Sequence, residues 1–167
     1  MDLREHAKYG LMRTRWLTNT VMESLQSEDD WFYQIGPKSN HAIWICGHLG
    51  LADNMFLSRF FEDRATKPDG WDELFWYGSA LKERSAYPPL DEVRSYFKDR
   101  HEALVGAIDE ITDEQLAAPA PSPEERSPIA GAPNFGHLLL FSSRHESVHF
   151  GQLTMIHRAL GYDPIIS

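Results

Sequence analysis

Arg144-His145-Glu146-Ser147-Val148-His149-Phe150-Gly151-Gln152, near the end of the chain, carries two histidines four positions apart. On a helix that spacing stacks them on one face, about 6 Å apart along the axis and within reach of a single metal ion. The rows that continue this face, Leu138, Phe141, Leu153 and Ile156, are apolar, so the histidines turn toward a helical interior. An imidazole buried without a partner is costly, and each of these needs either a hydrogen bond or a metal. The stretch therefore predicts a long inward-facing helix whose histidines are either two metal ligands or two hydrogen-bonded core residues.

Working outward, Asn134 is placed to cap this helix and Gly161 to close it after about Leu160. Upstream, Ala117 to Pro133 holds five prolines and no periodicity and reads as a loop. Leu90, Val93, Phe97, His101, Leu104, Ile108 and Ile111 form an apolar stripe after Pro88-Pro89, with Thr112 capping a short turn beyond it. A further row, His41, Ile45, His48, Ala52 and Met55, follows a cap at Ser39 or Asn40 and runs to near Phe61. Leu3, Ala7, Leu11, Thr14, Leu17, Val21 and Leu25 mark the first helix, which stops in the acidic run Glu28-Asp29-Asp30. Four long helices without an alternating strand pattern predict an all-α four-helix bundle, formed by residues 1–167 as a single domain. Between its second and third helices, Trp71 to Ser79 packs four aromatics into a long connection. Such a segment either seals a bundle end or walls a substrate pocket or dimer interface.

Composition narrows the partners. The formal charge is −9 and Lys and Arg form no cluster, so a nucleic-acid backbone or an anionic membrane surface would be repelled. One cysteine, Cys46, allows no internal disulfide, and Met1-Asp2-Leu3-Arg4-Glu5 lacks the basic flank and apolar run of a signal peptide. The expectation is a soluble cytoplasmic protein acting on a small molecule. The most apolar run, Ala42 to Leu51, is interrupted by Gly47 and His48 and is too short to cross a bilayer.

A metal needs a third ligand. His137 and His157 each lie eight positions from one member of the pair, about 12 Å along a helix, too far to share an ion with both. His41, His48 and His101 lie on apolar stripes of other helices and any of them can face the pair. His6 reads as a surface residue. Cys46 points about 200° away from His48 around the helix and reads as a small core residue rather than a nucleophile. His41 is a candidate for lining the pocket, and His101 for a satisfied core position. Gly47 and Gly151, beside histidines on two helices, suggest close helix approach.

Trp44-Ile45-Cys46-Gly47-His48-Leu49 is similar to the second-helix motif of the DinB-like (DinB/YfiT-like) family of metalloenzymes. His145-Glu146-Ser147-Val148-His149-Phe150-Gly151-Gln152-Leu153, followed by Arg158-Ala159-Leu160-Gly161, resembles its fourth-helix motif, and the Trp71 to Ser79 segment and Tyr87-Pro88 step resemble its connections. The resemblance covers most of the chain. It implies a bundle with long crossover connections, frequent homodimers, and a divalent metal on three histidines, which map to His48, His145 and His149. Such three-histidine sites keep a coordination place open.

The string His145-Glu146-x-x-His149 is also the zincin signature. A metzincin, however, places glycine and histidine where this chain has Gln152 and Met155, and 18 residues remain after His149. A di-iron carboxylate bundle takes a Glu-x-x-His motif from each of two helices, and the chain has no such second motif. A mononuclear site is the expectation. The family contains thiol-dependent S-transferases and an isomerase beside metal-dependent hydrolases. The resemblance therefore implies a zinc or nickel site that transfers a low-molecular-weight thiol to an electrophile. Hydrolysis by metal-bound water is one alternative, and a non-enzymatic metal-binding bundle is another. Glu146 and Gln152 are candidates for orienting ligands or moving a proton. Arg13, Arg15 and Asn19 are candidates for holding an anionic thiol's carboxylates, against the commoner reading of solvated helix charges.

Overall fold

Capping side chains set where most of the helices begin. The computed structural model describes residues 2–120 and 131–165, and among these the regular structure is helical, apart from an isolated bridge between Pro119 and Asn134. The helices are α1 (Leu3–Ser24), α2 (Glu28–Phe32), α3 (Ala42–Ser58), α4 (Trp71–Phe75), α5 (Leu90–Ala107), α6 (Asp113–Ala117) and α7 (Phe135–Ala159). Asp2 with Glu5, and Thr112 with Gln115, form capping boxes at the starts of α1 and α6, and Asn134 accepts from the His137 amide at the start of α7. Gly161, in the left-handed region at φ 89°, follows the end of α7.

Several boundaries differ from the sequence reading. The acidic run does not simply end α1: Ser27 and Asp30 make a capping box, and Glu28, Asp29 and Asp30 form the first turn of α2, where the helix dipole favours negative charge. The cap of α3 is neither Ser39 nor Asn40 but His41, whose Nδ1 accepts from the Trp44 amide at 3.2 Å. The imidazole fits this role because it is enclosed by Phe32 and Tyr87, with ring centroids 5.3 and 5.1 Å away. The α3 helix also ends at Ser58, before Phe61, and α5 continues into a 3₁₀ turn at Ile108–Glu110. Of the proline-rich stretch, residues 121–130 lie outside the described residues.

The four long helices close a ring in which α1 packs on α7, α7 on α3, α3 on α5 and α5 on α1. This is the expected four-helix bundle, and its connections are the long ones that carry α2, α4 and α6. The centre is α3, buried on every side from Ala42 through Asn54, as a helix apolar all round must be. Gly50 lets α5 approach: a Cβ there would stand 3.2 Å from the Phe97 Cα and 2.8 Å from the Tyr96 ring. Trp71 and Phe75 of α4 are buried against this centre, while Trp76 and Tyr77 stay exposed. The aromatic connection thus seals the core with one half and faces outward with the other. No helix among the described residues is long and apolar enough to cross a membrane.

Candidate metal centre

Where α3 packs on α7, His48 meets His145 and His149, and the potential ligand atoms of the three lie within 4.8 Å of one another. The Nε2 of His145 stands 3.1 Å from that of His48 and 3.2 Å from that of His149. The outer nitrogens of two of them are already engaged. His48 Nδ1 lies 2.9 Å from the Phe75 carbonyl oxygen and His149 Nδ1 lies 3.0 Å from Gln152 Oε1. Both oxygens accept, so each Nδ1 donates its hydrogen and each Nε2 is left with a lone pair. A neutral His145 has one hydrogen to offer and cannot satisfy both lone pairs. Three nitrogens that converge without enough protons among them form a donor set suited to a cation, with the outer hydrogen bonds fixing the tautomers.

Electrostatics point the same way. Burial, reinforced by the neighbouring imidazoles, pushes His48 down to about 3. Burial and then His149 push His145 down to about 4, and burial also lowers His149. All three are therefore neutral near pH 7, the state in which imidazole binds a metal. A family model of the DinB superfamily matches residues 11–153.

The chain belongs to the DinB superfamily.

No match among curated proteins accompanies this assignment. For a DinB superfamily chain the three-histidine group is a site that could hold a metal ion, and its surroundings come from parts of the sequence with no metal motif. The Trp44 indole stacks on the His48 ring at 4.7 Å and 11°, and its Nε1–H donates to Ser79 Oγ at 2.9 Å. Gly47 is required by Phe75: a Cβ there would lie 2.4 Å from the Phe75 ring, so a side chain would displace the residue whose carbonyl orients His48. Gly151 serves no comparable approach, with nothing within 4 Å of the place its Cβ would take.

The imidazoles open into a cleft of about 790 Å³ whose walls include Trp44, Tyr77, Ser79, Phe141, Arg144 and Gln152. Phe141 stacks on His145, centroids 5.9 Å apart. Of the other histidines, His137 lines the cleft with its Nδ1 2.7 Å from Asn134 Oδ1. His41 does not line it, being committed to the α3 cap, and His101 is a satisfied core residue against Asp53. Cys46 is fully buried and its thiol is pushed up to about 12 by burial, which suits an inert core residue.

Glu146 goes elsewhere. Its carboxylate takes Arg15 Nε at 2.7 Å and Nη2 at 3.3 Å, deep in the bundle and outside the cleft. Arg15 also donates to Asp53 Oδ2 at 2.8 Å and to the Phe97 carbonyl at 3.0 Å, and Asp53 Oδ2 lies 3.2 Å from His101 Nδ1. Burial works to raise the Asp53 carboxyl, but Arg15 and His101 outweigh it and hold the group below its ordinary value. Glu146 and His149 do stand at Glu-x-x-His spacing, yet the glutamate's oxygens face this charge cluster. Arg15 is correspondingly unavailable to a ligand in the cleft, and neither Arg13 nor Asn19 lines it. Gln152, by contrast, is beside the histidines, as the partner that orients His149.

Proposed function

We propose that this chain is a metal-dependent enzyme that transfers a low-molecular-weight thiol to an electrophilic small molecule. In this reading His48, His145 and His149 hold one divalent ion, zinc or nickel. The observation that carries it is the convergence of three Nε2 atoms, with the outer nitrogens of His48 and His149 already bonded elsewhere. A divalent ion on three neutral imidazoles supplies Lewis acidity, which makes a thiol or a water molecule a nucleophile near neutral pH. The chain's own residues do the rest. Phe75 and Gln152 hold two imidazoles in their tautomers, Trp44 covers one face of His48, and the cleft walls from Tyr77 to Ser79 and along α7 receive the electrophile.

Hydrolysis on the same ligands is the second reading, favoured by the exposure of Arg144 and Gln152, which leaves the cleft open to water. The deciding experiment has two parts. Metal content is measured by mass spectrometry on protein purified without a nickel column, for the wild type and for His48→Ala, His145→Ala and His149→Ala. Turnover of a chloro-dinitrobenzene and of a nitrophenyl ester is then measured with and without added thiol. The expected result is about one ion per chain, in keeping with one closed ligand set, lost in each variant, with turnover that requires thiol. Turnover of the ester without thiol selects hydrolysis. Metal without either turnover leaves a non-enzymatic metal-binding bundle, and no metal after reconstitution overturns the metalloenzyme reading.

A further inference from the structure

The chain carries 25 acidic residues against 16 lysines and arginines, yet no carboxylate stands among the described residues that line the three-histidine cleft. The charged side chain there is Arg144. It is exposed and joins no ion pair among the described residues. Its guanidinium carbon lies 5.8 Å from the Phe141 ring centre, and Phe141 is the ring stacked on His145. A cation is therefore placed one aromatic ring away from the converging nitrogens, in a concavity whose described lining carries no acid. A cleft lined by one sign of charge concentrates ligands of the other sign, and a planar guanidinium matches a carboxylate with two parallel hydrogen bonds.

We infer that Arg144 is the anchor for a carboxylate on the small molecule that enters the cleft, so that the ligand is an organic acid held by Arg144 with its reacting end toward His48, His145 and His149. This rests on the reading of the cleft as the substrate site. The carboxylate can belong to the thiol or to its electrophilic partner, and the test separates the two.

Binding to the zinc-reconstituted protein is measured by calorimetry and by ligand-observed magnetic resonance, with zinc content checked for every sample. One pair of probes is 3-mercaptopropionate and its amide; the other is benzoate and benzamide, which carry no thiol. The wild type is expected to prefer the carboxylate by about tenfold or more, because charge-assisted hydrogen bonds are the stronger class. In Arg144→Gln that preference should vanish while the neutral probe binds as before and zinc content is unchanged; Arg144→Lys should retain part of it. The preference in the thiol pair places the carboxylate on the thiol, and in the benzoate pair on the electrophile. A preference that persists in Arg144→Gln, as it would if the ion alone held the carboxylate, overturns the anchor. So does its absence from both pairs in the wild type. If zinc does not bind at all, the metalloenzyme reading fails while the carboxylate preference can still be read with benzoate.

Discussion

Two buried polar clusters share α3 and α7, and they are built on opposite plans. In one, Arg15, Glu146, Asp53 and His101 meet as cation and carboxylates, and Arg15 bridges both acids. In the other, the Nε2 atoms of His48, His145 and His149 converge, and the hydrogens of His48 and His149 are directed outward to Phe75 and Gln152. The first is balanced within the chain; the second leaves lone pairs that the chain's own hydrogens do not fill, as in a group that could hold a metal ion. Burial of polar groups is thus no guide to function by itself. What separates a bundle's structural charges from its candidate site is whether the donors and acceptors balance.

The sharpest way to break this contrast is to remove Arg15. Arg15→Met leaves Glu146 and Asp53 buried without their cation and should cost about 3–5 kcal/mol of stability. In the metal-free protein His145→Ala should cost clearly less, because it relieves a meeting of lone pairs. Urea denaturation of both variants checks this, and equal losses would show that the two clusters are alike.

Acid should act on the buried imidazoles while Asp53 of the arginine cluster stays charged. The folded-state values of His41, His48 and His145 lie at about 4, 3 and 4, against 6.5 in an open chain. Below pH 6.5 the unfolded chain takes up protons that the folded chain refuses, so metal-free protein loses stability as pH falls from 6.5 toward 4 and loses none above 6.5. Asp53, held below 3.8, stays ionised across that window. Denaturation midpoints measured from pH 7.5 to 4.5 should fall with acid, and a flat profile would contradict the burial of these imidazoles.

Gly47→Ala sharpens the contrast from outside both clusters. The added methyl meets the Phe75 ring, and overpacking of this kind costs about 1–3 kcal/mol. Because Phe75 also orients His48, zinc affinity should fall together with stability, whereas Gly151→Ala should leave zinc affinity unchanged and raise stability by about 0.5–1 kcal/mol. The smallest effect is reserved for Gln152→Leu, which removes the partner of His149 without touching the core. Zinc affinity should drop by about 10- to 100-fold while the denaturation midpoint of metal-free protein stays put; competition with a chromogenic chelator measures the first.

The long periodic stripes and their caps at Thr112 and Asn134 made the bundle legible, because periodicity is a local property of a helix. The four-residue spacing of His145 and His149 was legible for the same reason, while His48 was one of three equal candidates until the motif around it was compared with a family. The rest depended on contacts made across the fold. A backbone carbonyl such as that of Phe75 has no signature in the residue that carries it. The Arg15 to Glu146 pair joins residues 131 positions apart, so α1's arginines read only as solvated charges or ligand contacts. Glu146 looked like a site residue because it lies between two histidines, but neighbours in a helix point about 100° apart. His41 was read on the ligand row because the row was drawn one residue too early: it is the cap, outside the helix it appeared to begin.

That angular offset has a use. His145 and Glu146 are consecutive on α7, so the grip of Arg15 on Glu146 fixes the rotation of α7 about its own axis, as a key fixes a shaft. His145 and His149 turn with it, because they stand on the same helix as Glu146. The side chains at 48, 145 and 149 could then be exchanged while the shaft keeps its angle, so the alignment of α7 and the chemistry of the converging groups are separable traits in this bundle.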